Sequence, residues 1–207
     1  LEAQSGAAVG EHVVELAQHF TVAGNIEKAV RYRLQAAQQA FGRGGYREVV
    51  DHLSQGLELL AQQADLPDHD TLELSFQMLI APALIQLNGW SDRNAEAALE
   101  RAVVLATRLG DSRIASAYYF MAAVHELRGE YRESQRCLEC QQALPQAFET
   151  DLAELESHEL MACSLYHQGA FQQALEHARA GLRSGAQYDF NSKLYAYGES
   201  PRVSCHN

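Results

Sequence analysis

The chain has 207 residues, 47% of them hydrophobic and 21% charged, with 14 Gly and 4 Pro. This is globular composition, and it excludes collagen-like, low-complexity and disordered classes. Sixteen Lys+Arg against 27 Asp+Glu give a formal charge of -11, which repels nucleic acid at long range and argues against a DNA- or RNA-binding role.

The N-terminal run Leu1-Glu-Ala-Gln-Ser-Gly6 lacks the basic and apolar stretches of a secretory signal. No stretch approaches the roughly 18 apolar residues of a membrane span. Four Cys in a chain of this size read as reduced thiols, so the expected address is cytoplasmic, away from membranes. Spacing then predicts nine helices, over 10–22, 26–42, 46–64, 70–88, 92–109, 112–128, 131–143, 149–168 and 171–184. In the first two, Val13, Leu16, Ala17 and Phe20, then Ala29, Leu34, Ala36, Ala37 and Ala40, fall at the i, i+3, i+4, i+7 spacings of a buried stripe. In the fourth, Pro82 is expected to kink the helix at a cost of roughly 3 kcal/mol. Residues 185–199 read as a loop. Ser200-Pro201 reads as an N-cap and first helical position of a further helix cut short. Since the chain also does not begin with Met, it is expected to be a segment of a longer polypeptide. No alternating β-branched run occurs, so the fold class is all-α.

The breaks between helices carry the organisation. Glycine turns occur at Gly24-Asn25, Gly44-Gly45-Tyr46, Gly89-Trp90, Gly129-Glu130-Tyr131 and Gly169-Ala170-Phe171, and from Gly44 onward their spacings are 45, 40 and 40 residues. Self-similarity at such a period marks a helical repeat array. In three turns an aromatic follows the glycine by two residues: Tyr46, after Gly44, Tyr131 and Phe171. Glycine, aromatic, then small residues on the next helix resemble the tetratricopeptide repeat. The last unit supplies Met161, Ala162, Gly169, Phe171, Ala174 and Ala178. The one before it supplies Tyr118, Met121, Ala122, Gly129, Tyr131, Ser134 and Leu138. The small residues are needed because closely crossing helices leave no room for large ones. A period near 40 rather than 34, and Pro82 where a small residue belongs, mark the repeats as divergent. The resemblance implies a right-handed α-α superhelix over 25–184, with 1–24 as an N-terminal helix and junction and 185–207 as loop and truncated helix.

A second resemblance rests on His19-Phe-Thr-Val-Ala-Gly-Asn-Ile-Glu-Lys-Ala-Val-Arg-Tyr32, on Ala36-Ala-Gln-Gln-Ala40, on Tyr46 through Leu60, and on Tyr197-Gly-Glu-Ser-Pro-Arg-Val-Ser-Cys205. These stretches are similar to the region that follows the ATPase module of large bacterial signalling ATPases. Many of those carry a nucleotide cyclase domain or a helix-turn-helix regulator. The resemblance implies a regulatory or partner-sensing arm.

Chemical motifs are sparse. Gly42-Arg-Gly-Gly45 follows no strand and precedes no Gly-Lys-Ser/Thr, so it is a turn and not a phosphate loop. Cys137-Leu-Glu-Cys140, with Cys163, His158 and His125 as conceivable further ligands, lacks the second close pair of a structural zinc site. Neighbouring acids such as Glu96/Glu100 read as solvated helix faces, and no nucleophile elbow occurs. The expectation is no catalytic residue, no metal and no cofactor.

What remains is the face that the repeat resemblance assigns to partners, lined by the first helix of each pair. Alignment on the turn glycines places there Arg31, Leu34, Gln38 and Phe41, then Phe76, Leu79, Ala83 and Gln86. Ser116, Tyr119, Ala123 and Glu126 follow, and then Glu156, Glu159, Cys163 and Tyr166. The expected partner is another protein or a neighbouring domain of the same polypeptide, with a cationic ligand suited to the acidic C-terminal half. A homodimer through exposed repeat ends is a further expectation. Rival readings are a small-molecule sensor with a pocket around Phe76, Tyr119 and Tyr166, an enzyme using the Cys/His cluster, and a passive scaffold.

Overall fold

A computed structural model of the chain describes residues 12–148 and 151–184. The expectations for 1–11 and 185–207, including the loop, the truncated helix and the Tyr197–Cys205 landmark, lie outside the described residues. Those residues form nine α-helices and no strand. They are α1 (Val13–Val22), α2 (Ile26–Gly42), α3 (Tyr46–Ala61), α4 (His69–Asn88), α5 (Arg93–Leu109), α6 (Ile114–Leu127), α7 (Tyr131–Gln142), α8 (Asp151–His167) and α9 (Phe171–Ser184), with one 3-10 turn at Gln146–Phe148. The chain divides into two compact units, Leu1–Leu105 and Ala106–Asn207, with the division inside α5.

Two boundaries differ from the periodic reading for local reasons. The third helix stops at Ala61, where Gln62 Nε2 donates to the Glu58 carbonyl at 3.1 Å and the chain turns toward Pro67. The sixth starts at Ile114. Asp111 Oδ1 accepts the Arg113 N–H at 2.9 Å, and its carboxylate grips the Arg113 guanidinium at 2.9 and 2.7 Å, which holds 111–113 in a side-chain turn.

Five of the interhelical turns close in one way. At Gly24, Gly44, Gly110, Gly129 and Gly169 the glycine has positive φ. The next residue's N–H reaches back to the carbonyl five positions earlier, as in Gly45 to Ala40 at 2.9 Å, Glu130 to His125 at 2.9 Å and Ala170 to Leu165 at 2.9 Å. This is the Schellman closure, and it satisfies carbonyls that a helix end leaves unpaired. Gly110, which no aromatic follows, joins the set although repeat spacing alone did not reveal it.

In the first unit α1, α2, α3 and α4 pack in succession, and α2 also meets α4. Val13, Leu16, Ala17, Ala29, Val30, Ala36, Ala37, Ala40, Val49, Leu53 and Leu60 are buried, as the apolar stripes require. Leu34 and Phe20 are only half-buried, and Phe20 stacks on Tyr32 with centroids 5.6 Å apart. α4 stays helical through Pro82 and is buried on all sides from Ile80 to Ile85. That burial offsets the hydrogen bond the proline cannot make. α5 is tied to α4 by a bidentate pair, Arg101 Nε and Nη2 to the two Glu73 oxygens at 2.7 Å each.

In the second unit α6, α7, α8 and α9 pack in succession, and α6 also meets α8. Of the repeat pattern, Ala122, Ser134 and Leu138 are fully buried and Ala174 is buried against α8, whereas Ala162 and Ala178 are half-buried. The described residues are thus a TPR-like helical repeat built from helix hairpins.

Candidate interaction faces

The expected partner face is traced most directly in the first helix of each hairpin. On α2, Arg31 and Gln38 are exposed and Leu34 and Phe41 half-buried. Arg31 Nη2 bonds Asp68 Oδ2 at 2.7 Å and Glu27 Oε1 at 3.3 Å, so its guanidinium ties α2 to the start of α4. Phe41 rests edge-on against Tyr46, 5.5 Å between centroids. On α4, Gln86 is exposed, Leu79 half-buried and Ala83 buried.

Phe76 departs from the expectation. It is completely buried, its ring filling a notch left by Gly56 on α3. A Cβ added at Gly56 would lie 2.1 Å from Phe76 Cε1, so the glycine is what lets α3 and α4 approach. Phe76 is therefore a core knob within the first unit and is removed from the partner face.

In the second unit, Ser116 is exposed and Tyr119 half-buried on α6, with Ala123 buried below them. Glu126 also departs from the expectation. It is 6% exposed, and its Oε1 faces His167 Nδ1 at 2.8 Å. The carboxylate joins α6 to α8 as an internal link, because 41 residues of sequence separation return His167 to the same end of the unit. On α8, Glu156, Glu159 and Cys163 are half-buried and Tyr166 is 61% exposed. The Cys163 thiol points at Glu159 Oε1, 3.6 Å away. Tyr166 lies edge-on to Phe171 with centroids 5.4 Å apart, and Phe171 is itself 61% exposed. The repeat aromatics thus differ: Tyr131 stacks on His167 at 5.4 Å, whereas Phe171 keeps an open face.

Of the Cys137/Cys140 pair, Cys137 is half-buried and Cys140 exposed. Burial, with Cys140 and Glu133 beside it, pushes the Cys137 thiol up to about 11, so it stays protonated near neutral pH. His69, Asp70 and Glu73 bring one donor atom each within 4.8 Å of one another, but both Glu73 oxygens already hold Arg101. His158 and His177 meet through their Nδ1 atoms at 3.0 Å across α8 and α9. Burial lowers the pKa of both, and the second largest influence on His158 is His177 itself. Sequence reading marks His158 only as a conceivable ligand beside Cys137 and Cys140 and misses its pairing with His177, 19 residues away.

The chain matches no protein-family model and no curated protein. Among solved structures it is similar to BtubC (BKLC) from P. vanneervenii, with a TM-score of 0.63 and 16% identity over 94% of this chain and 89% of that one. A second similar structure is MamA protein, at TM-score 0.45 and 16% identity, over 90% of this chain and 98% of that one. At such identity the likeness to BtubC establishes a shared helical fold and carries nothing about ligand or activity.

Proposed function

We propose that this segment is a non-catalytic interaction and regulatory arm of a larger cytoplasmic bacterial signalling protein, acting beside an ATPase or nucleotide cyclase domain. The observation that carries the reading is the face of α6 and α8. Tyr119 on α6 and Glu156, Glu159 and Tyr166 on α8, which the repeat alignment assigns to one face, are each partly open to solvent. Aromatic and charged side chains on a rigid support are what protein interfaces use. The chain's charge of -11 favours a basic partner surface. Binding there biases the neighbouring domain only if the partner distinguishes two arrangements of the arm. Contact with a second copy through the open Tyr166, Phe171 and Leu175 is the secondary possibility.

The test is deletion of residues 25–184 from the full-length polypeptide. Basal nucleotide turnover is expected to persist while its regulation disappears. Loss of turnover in the isolated catalytic domains overturns the reading. Glu156→Lys with Glu159→Lys is expected to weaken partner binding at least tenfold, by about 1.4 kcal/mol or more from lost charge complementarity, without lowering the melting temperature.

A further inference from the structure

In the first unit a cavity of about 520 Å³ opens between α1 and α3, with α2 beneath. Its floor is Arg33, the only arginine in the buried class among the described residues, at 8% exposure. Every other guanidinium that anchors a helix junction meets a carboxylate: Arg31 with Asp68, Arg43 with Glu48, Arg101 with Glu73, Arg113 with Asp111. Arg33 forms no ion pair among the described residues. Its Nη2 donates to the Thr21 hydroxyl at 3.2 Å, and its Nε has no acceptor at all. A guanidinium stays charged at any physiological pH, so burying it without a counter-charge is a standing cost. A negatively charged group entering the cavity against the part of Arg33 that lines it offsets that charge, although Nε itself stays buried.

The walls say which acceptor. Asp51 and His52 on α3 line the same space, with Glu48 close by in its pair with Arg43. His52 is held neutral chiefly by burial and then by Arg33, while Glu48 and Asp51 oppose that shift. Glu58 acts on Arg33 from a distance. An anion beside Arg33 would share the cavity with the Asp51 and Glu48 carboxylates, and a simple cation would share it with the Arg33 guanidinium. A ligand that carries a carboxylate and an ammonium a few ångströms apart satisfies both groups and adds no net charge. On the α1 wall Val14 and Val22 are exposed and flank the amide and hydroxyl of Gln18 and Thr21, which suits an aliphatic substituent.

We infer that this cavity binds a free aliphatic α-amino acid, its carboxylate on Arg33 and its ammonium toward Asp51. The site is separate from the α6–α8 face and stands whether or not that face binds a protein. It gives the arm a small-molecule input of its own, since ligand bound between α1 and α3 stabilises their packing on α2 by mass action.

L-leucine is the probe, with leucinamide, which lacks the carboxylate, and 4-methylpentanoate, which lacks the ammonium, as controls. Leucine up to about 10 mM is expected to raise the melting temperature and to give a saturable calorimetric heat, while both controls bind at least tenfold more weakly. Arg33→Met is expected to lose about tenfold or more in leucine affinity, yet to leave the ligand-free protein as stable as before or more so, because a buried unpaired charge has gone. Asp51→Asn, an exposed change with no folding burden, is expected to bring leucine binding down to that of 4-methylpentanoate. The inference is overturned if none of leucine, isoleucine, valine and alanine gives a shift or heat, if leucinamide or 4-methylpentanoate matches leucine, or if Arg33→Met binds leucine like the parent.

Discussion

Phe76 and Phe171 are the same residue type on helices of the same repeat design, and one is completely buried while the other is 61% exposed. The difference lies in what faces them. Phe76 finds a notch at Gly56, a glycine on the neighbouring helix that admits its ring. Phe171 finds one aromatic edge, Tyr166, on the helix before it. Tyr131 stands between the two cases, half-buried because His167 of the next hairpin stacks on it. Turn chemistry is thus local, but the burial of a repeat's aromatic is supplied by a neighbour distant in sequence.

That contrast can be broken hardest at the notch. Gly56→Ala drives a methyl into Phe76 and is expected to cost about 3 kcal/mol, read as a lower urea midpoint for the first unit. Tyr131→Ala, which removes a stacked and half-covered ring, is expected to cost about 2 kcal/mol, while Tyr131→Phe keeps most of the stability.

The imidazole pair at the α8–α9 seam sharpens the contrast with pH. His158 and His177 have lowered pKa values when folded, chiefly because they are buried. As pH falls through the ordinary imidazole value near 6.5, the unfolded chain takes up protons that the folded chain refuses, and stability drops. Melting temperature is expected to decline from neutral pH toward pH values near 5.5, and His158→Gln with His177→Gln to flatten that decline. Phe171→Ala is expected to change stability least, by about 0.5 kcal/mol or less, since most of the ring is already in solvent. A large loss there would mean that the ring is covered in solution.

Much of the fold is legible in residue spacing. Apolar residues at helical intervals placed all nine helices, and the positive-φ glycines fall at the turns that divided them. The candidate face is legible only in part, because periodicity assigns a residue to a face of its own helix and not to what lies opposite. Phe76 continued a surface-like stripe, but its partner Gly56 is twenty positions upstream, in a different helix. Glu126 aligns with the partner face, but His167 from the next hairpin draws it into an internal link. Arg33 lies two positions from Arg31, and nothing in its sequence neighbourhood marks it as buried. Its burial comes from α1, which crosses α2 through the Gly24 turn and brings Thr21 over it.

The recurring five-residue closure at the glycine turns also bears on how the molecule is made. At Gly24, Gly44, Gly129 and Gly169 the turn joins two helices of one unit whose contacts with one another span only tens of residues, so ring closure costs little and such pairs can assemble on their own. A polypeptide leaving the ribosome can therefore acquire order one hairpin at a time, with each finished pair offering a template to the next.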